Sequence, residues 1–488
     1  MLPEITTFAS PLALVAGGLA LAVLGSALTG RVPVPAPLVF LVAAAAISDL
    51  WPGLYGDLSI ITVERVAELA LIVILLSGGM DIGATRLRRS LGDITALGVL
   101  GTFATAGGVA LAAHLVLGLD WKVAGVLGAA LAPTDPAVMF SVLGGREIGG
   151  RSGTVLEGEA GVNDPAGIAL LLGMVEVATH SGTSLLVVLR EFALEMGIGA
   201  VAGVAGGLVL VRIVQRVSLP VRGQYPVLVL TGAGLLYAGT ALCGGSGFLA
   251  VFIAGLLLAD ATVPYRGDVE RFVTGLSNLA EVAVFLALGL TIDVGGIPAR
   301  DWLGGLLLTL ALVLAIRPPV VFASLARSRL GRNEKAFVAF SGLKGAVPIL
   351  LAAFAILGGV PDAARLYDLV FVVVLLSVGL QGTMVGAVAG RLGIPMATHA
   401  RLPWELSVQL AERPDDHLEL VVQPGAWADG RRLEELPLGT DVWVTVIVRR
   451  DAAVPARPDT QLQAEDLVLV LGPGSRELED RFLAPASS

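Results

Sequence analysis

Thirteen apolar segments follow one another along the chain, at approximately 11–28, 33–49, 61–80, 94–116, 121–144, 154–178, 184–211, 226–243, 246–260, 271–291, 302–325, 335–357 and 366–390. About 20 helical residues cross the ~30 Å hydrocarbon core of a bilayer, and most of these segments reach that length. Backbone in lipid must satisfy its own hydrogen bonds, which makes the segments helices or parts of helices. Composition agrees: 55% of the 488 residues are hydrophobic, 15% are charged and the mean hydropathy is +0.83, values of a polytopic membrane protein. The 62 glycines suit helices that pack backbone to backbone in lipid, as the Gly203/Gly207 spacing allows. The single cysteine, Cys243, excludes an internal disulfide and a thiolate metal site, and its apolar setting reads as packing. Residues 1–10 carry Glu4 and no Lys or Arg, unlike the basic start of a secretory signal, so the first span is expected to be retained.

Charge tests the span count, because cytoplasmic loops collect Lys and Arg. One set of alternate loops holds sixteen basic residues, among them Arg86, Arg88, Arg89, Arg212, Arg216, Arg327 and Lys335. The other set holds three: Lys122, Arg300 and Arg365. That alternation predicts an odd number of spans, with the N-terminus outside and the C-terminus in the cytoplasm. Arg86 to Arg89 read as topology and anionic-lipid contacts, not as a nucleic-acid surface.

Beyond about residue 400 the character changes to sixteen acidic and nine basic residues, with short β-like runs at 418–422, 442–448 and 467–471. We expect a small soluble α/β domain over 404–488 after a transmembrane domain over 1–395. Its acidity argues against nucleic-acid binding.

Two apolar segments carry carboxylates at mid-depth, where ionisable groups are costly and mark ion or proton paths. In the fifth, Thr134-Asp135 stands between Pro133 and Pro136, which remove helix hydrogen bonds and free backbone carbonyls. In the sixth, Glu159 and Asn163 share a helical face, Asp164 adjoins it, and Pro165 frees a further carbonyl. Oxygen ligands with fixed negative charge suit a hard monovalent cation, and a carboxylate in low dielectric also attracts protons. Competition between the two for one site, with access alternating between two faces, is sufficient for antiport.

Lys344 sits mid-span in the twelfth segment, among Gly342, Gly345 and Pro348, so two segments seven apart are broken. Paired broken helices suggest inverted repeats. Lys344 and Arg317 read as charge-compensating groups; Glu68 and Glu281, also inside spans, are scaffold carboxylates and possible partners of Arg317. Asp135 is open between ligand and support of the helix crossing, and Glu159 between ligand or gate and structural partner. No Walker A loop, His-Glu-x-x-His or Gly-x-Ser-x-Gly is present, so an enzyme lacks residues to carry it. A Thr-Val-Gly-Tyr-Gly-like channel filter is also missing.

Taken together, Thr134-Asp135-Pro136, Glu159 with Asn163-Asp164-Pro165, Gly247 to Gly255, Arg317-Pro318 and Gly342 to Pro348 resemble the monovalent cation/proton antiporter superfamily, in its Asn-Asp branch. The form is most similar to bacterial potassium/proton antiporters of the cell-volume-regulation type. The tail, with Gly430 to Leu436, Ile447 to Arg450 and Asp466 to Gly472, resembles a TrkA-C domain. The resemblance implies an all-α transmembrane domain of about 13 helices with inverted repeats and two broken crossing helices, working as a homodimer in an elevator-like movement. It implies Asp164 as the main cation and proton carboxylate, with Thr134 and Glu159 completing the site, and Asp135 and Lys344 offsetting half-helix dipoles. Asn163, where electrogenic relatives carry aspartate, implies electroneutral exchange.

Two departures stand out: Ala160 replaces a usual Ser, and Lys344 a usual Arg, in a chain with three lysines and twenty-nine arginines. Lysine can release its proton where arginine cannot, which leaves open a titrating Lys344. The expected function is exchange of cytoplasmic K+ or Na+ for H+ across the bacterial inner membrane, without ATP, in the service of pH homeostasis. A sodium-selective antiporter, a ligand-gated cation channel and a non-transporting sensor are the alternatives. No cofactor is expected; a regulatory nucleotide on the tail would follow by analogy alone.

Overall fold

The computed structural model describes residues 35–50, 60–135, 146–148, 150–180, 183–394, 396–398, 417–436, 443–449 and 452–471, with isolated positions besides. Most of the first expected span, Pro136, and the stretches 399–416 and 472–488 lie outside the described residues. The chain divides into two compact units, Met1–His399 and Ala400–Ser488.

In the first unit the described helices are α1 (Ala36–Leu50), α2 (Ile60–Ile82), α3 (Ala84–Leu117), α4 (Trp121–Leu131), α5 (Gly150–Thr179), α6 (Leu185–Arg216), α7 (Gln224–Leu242), α8 (Gly247–Asp260), α9 (Arg266–Gly289), α10 (Ala299–Ser324), α11 (Arg332–Phe340), α12 (Ala346–Leu357) and α13 (Ala363–Leu392). Seven, α3, α5, α6, α7, α9, α10 and α13, are long and apolar enough to cross a membrane. Large apolar side chains such as Val201, Leu235 and Leu242 stand more than 70% exposed, a surface that lipid accommodates and water does not. Cys243, expected to pack inside, is exposed at the end of α7.

Two helices stop where their sequences withdraw hydrogen bonds. α4 starts at Asp120, whose carboxylate accepts from the Lys122 amide at 2.9 Å, and ends just before Pro133, whose ring nitrogen cannot donate to the ladder. α11 ends at Phe340, the backbone from Ser341 to Gly345 is unwound, and α12 resumes with Pro348 in its first turn, where a missing N–H costs nothing. Three long helices carry a π-helical turn, at Ala96–Gly101 in α3, Ala311–Ile316 in α10 and Ser377–Gly382 in α13. Such wide turns rotate the side chains that follow them and concentrate at functional sites.

α8 packs between α2 and α6, and glycine permits the approach. A methyl group at Gly203 would stand 2.9 Å from the Ala250 Cα, and one at Gly207 3.0 Å from the Ala254 Cα. A two-stranded antiparallel sheet joins β1 (Arg146–Ile148) to β2 (Met396–Thr398), tying the chain beyond α4 to the chain beyond α13.

The second unit is a four-stranded antiparallel sheet of β3 (His417–Val421), β4 (Trp443–Arg449), β5 (Ala452–Val454) and β6 (Leu467–Leu471), in the order β3-β6-β4-β5. Leu420, Val422, Ile447, Leu462, Val468 and Val470 form its core. Of the expected α/β unit the described residues carry this sheet and one 3-10 turn, Leu433–Glu435. The buried carboxylate of Asp466 takes two hydrogen bonds from Arg449, at 2.8 and 2.7 Å, and one from the Gln463 amide at 2.8 Å. These bonds hold the Arg449 guanidinium charged even more firmly than usual.

Two expectations follow from the packing. Gly203→Leu should lower stability by about 1–3 kcal/mol or more through overpacking, read as a lower melting temperature in detergent; Gly197→Leu, with no atom within 4 Å of the added carbon, should leave it unchanged. In the tail, Asp466→Ala strands the Arg449 donors and should cost roughly 2–3 kcal/mol, seen as faster tryptic cleavage of the second unit in the full-length protein.

Candidate functional site

The unwound segments that follow α4 and α11 meet. The Asp135 amide donates to the Leu343 carbonyl at 2.8 Å. Lys344, fully buried, donates from Nζ to the carbonyls of Ala132 at 2.9 Å and Pro133 at 2.8 Å. Those carbonyls are the orphaned end of α4, where the helix dipole is negative, so an ammonium there supplies both hydrogen bonds and opposite charge. Conversely, the Asp135 carboxylate lies against Gly345, at the positive start of α12. Any side chain at position 345 would collide with that carboxylate, which explains why the break carries glycine there.

Two residues that no motif singles out hold the second break open. In the wide turn of α13, Ser377 accepts from the Lys344 amide at 3.0 Å and donates to Gln381 at 3.0 Å, while Gln381 donates to the Phe340 carbonyl. Their sequence signal is a polar pair at i,i+4 inside an apolar run, which on its own points to no particular partner.

α5 supplies the remaining groups. Asn163 donates to the Thr134 hydroxyl at 2.7 Å, and that hydroxyl lies 3.5 Å from Glu159 Oε1. Arg317, placed directly after the wide turn of α10, reaches the same Oε1 with Nη2 at 2.6 Å. Glu159 is 1% and Arg317 2% exposed, so this ion pair is sealed from solvent. The partner of Arg317 is therefore Glu159, neither Glu68 nor Glu281. Glu68 is half-buried on α2, and the charges acting on it belong to Glu64 and Arg65 of its own helix. Glu281 lies on α9, on a helix that packs against α12.

Asp164 is 7% exposed, and its Oδ1 has no hydrogen-bond partner among the described residues. Glu159 Oε2 and Asn163 Oδ1 are buried and unpaired in the same way. Buried polar atoms without partners are expensive and call for an explanation. On Asp164, Asn163 and Glu159 the unpaired atoms are all oxygens, on neighbouring turns of one helix beside Thr134, while Arg317 nearby also keeps an unpaired Nε. The charges brought together are the carboxylates of Asp135, Glu159 and Asp164 against Lys344 and Arg317. Fully ionised, these five groups are one positive charge short of neutrality, a deficit that one monovalent cation or one proton removes. Hard oxygen donors with a single net charge match K+ or Na+ better than a divalent ion. No group of three or more His, Cys, Asp or Glu arranged for a metal ion occurs among the described residues.

Comparison with known proteins places this geometry in context. Residues 19–390 match the transmembrane sodium/hydrogen exchanger family, and residues 417–483 match the TrkA-C domain. The K(+)/H(+) antiporter NhaP2 of Shewanella oneidensis is 31% identical over 93% of this chain and 79% of its own. The K(+)/H(+) antiporter NhaP of Alkalimonas amylolytica is 32% identical over 76% of this chain and 64% of its own. Among solved structures, the sodium proton antiporter MjNhaP1 from Methanocaldococcus jannaschii at pH 8 superposes with a TM-score of 0.68 at 25% identity, covering 78% of this chain and 98% of that one. These relatives are transporters, not enzymes. The chain belongs to the sodium/hydrogen exchanger family of multi-pass membrane proteins and carries a C-terminal TrkA-C domain.

Proposed function

We propose that this protein is a secondary antiporter exchanging K+, or Na+, for H+ across the bacterial inner membrane. The observation that carries the reading is the trio of unpaired buried oxygens on Asp164, Asn163 and Glu159 beside Thr134, in a charge cluster short of one positive charge. Asp164 is the carboxylate that alternately holds cation and proton; Thr134, Glu159 and Asn163 complete or position the site, and Asp135, Lys344 and Arg317 set its charge. Potassium is favoured by two relatives named as K(+)/H(+) antiporters, whereas the solved structure is of a sodium antiporter.

One missing charge in the cluster supports one-for-one, electroneutral exchange, provided that Lys344 keeps its proton. The paired breaks before and after the crossing fit two inverted repeats in a topology of thirteen spans, N-terminus outside and C-terminus cytoplasmic. The transmembrane domain (1–395) works as an elevator within a homodimer, and the tail (404–488) regulates it. Alternating access arises when the two crossed half-helices move together past the remaining helices.

Proteoliposomes with an internal pH dye test this. Addition of K+ or Na+ should move protons in the wild type, unchanged by a membrane-potential clamp. Asp164→Asn, which removes the charge and keeps the shape, should reduce the signal to the protein-free background. Cation flux that follows voltage without proton movement would overturn the reading in favour of a channel. Lys344→Arg should preserve stoichiometry and clamp insensitivity, since a guanidinium that never deprotonates can still serve the two carbonyls; clamp-sensitive exchange in that variant would show that Lys344 titrates.

A further inference from the structure

Glu281 is a partly buried carboxylate inside a span that the site leaves unused. Its Oε1 is shielded from solvent and lacks a hydrogen-bond partner among the described residues. The cation that a scaffold carboxylate would require, Arg317, is held by Glu159. The charge acting most on Glu281 is that of Asp135, of the same sign. Two carboxylates near each other in low dielectric need a proton or a cation between them.

α9 leads to this point from its Arg266 end, in one of the basic loops expected on the cytoplasmic side. Glu270, Thr274, Asn278 and Glu281 recur at i, i+4, i+8 and i+11, within an arc of about 80° on a helix of 100° per residue. Thr274 and Asn278 are exposed, although they lie within an otherwise apolar span. With Asp81 at the end of α2, and with Arg266, Arg271 and Glu270, they line a cavity of about 630 Å3. That space holds several waters at about 30 Å3 each. Its arginines do not repel a cation as free charges would, because Arg266 pairs with Glu270 at 2.5 Å and Arg271 with Asp268 at 2.7 Å. The stripe lies beside the buried face of α9 (Val269, Val273, Ala280, Val284) and away from Phe272 and Leu279, which are exposed on the other side.

We propose that Glu281 is a transit site for the exchanged monovalent cation, which enters from the Arg266 end of α9, passes Thr274 and Asn278, and pauses at Glu281 before reaching Asp164. The inference rests on the antiport reading above and adds a binding group on α9, outside the two broken helices and α5. Hydrated cation loses water progressively along the stripe, with amide and hydroxyl oxygens replacing it ahead of the carboxylate.

The test uses full-length protein in proteoliposomes, with K+ and Na+ as probes. Glu281→Gln should raise the cation KM about tenfold or more while the melting temperature and the exchange rate at saturating cation stay near wild type, and Glu281→Asp should restore most of the loss. In a Cys243→Ser background, Asn278→Cys should react with a cationic methanethiosulfonate applied from the side of the Arg266 loop; Leu279→Cys, on the opposite face, should not react. Modified Asn278→Cys should exchange about tenfold more slowly. Wild-type kinetics in Glu281→Gln, or an unreactive Asn278→Cys, would overturn the transit role while leaving antiport standing. Absence of cation-driven proton movement in the wild type would instead remove the antiport reading, and the transit role with it.

Discussion

The first unit is organised around the mutual capping of two interrupted helices. Breaking a helix inside an apolar unit exposes carbonyls at one end and amides at the other, and lipid offers nothing to satisfy them. Here each break satisfies the other: Leu343 accepts from the Asp135 amide, Lys344 covers the carbonyls of Ala132 and Pro133, and the Asp135 carboxylate sits at the start of α12. Removing either charge would leave both a buried opposite charge and orphaned backbone groups, which costs more than the loss of one contact. The crossing thus holds unwound backbone beside α5, in the place where the proposed cation site needs it.

The surroundings of the crossing are adapted to it in two ways. Wide helical turns in α3, α10 and α13 occur where those helices approach α5 or the second break, and they turn Arg317, Ser377 and Gln381 to their partners. The second adaptation is electrostatic. Arg317 and Lys344 offset two of three carboxylates, which leaves Asp164 with an unpaired oxygen and the cluster with a single unmet charge. A site neutralised completely by its own arginine and lysine would have no use for a transported cation. One left with two or three unmet charges would bind too tightly to release it.

Family membership, the division into a helical unit and an acidic tail, and the presence of carboxylates inside apolar runs were legible in the sequence because each has a local signature. Proline and glycine inside apolar runs announce a broken helix whatever surrounds it, and a carboxylate in such a run is too costly to be incidental. The β-runs of the tail alternate or cluster in ways that a strand alone explains, and β4 and β6 fall within a residue or two of the expected positions. Cys243 was misread because an apolar sequence neighbourhood means lipid exposure as readily as interior packing, and hydropathy does not distinguish lipid from core.

The pairing of charges was not legible, and the reason is geometric. The sequence offered Glu68 on α2 and Glu281 on α9 as partners for Arg317, and the actual choice of Glu159 on α5 depends on which helices are neighbours and on a wide turn that precedes Arg317. Ser377 and Gln381 became part of the site only because α13 lies beside the second break. By itself the sequence determined which segments are apolar, where helices must break, and which ionisable groups are buried with them, since these follow from hydrogen bonding and desolvation along the chain. Only the tertiary structure decided which buried charge neutralises which, and therefore which oxygens are left without partners, because Coulomb and hydrogen-bond energies depend on distances across helices that no local pattern encodes.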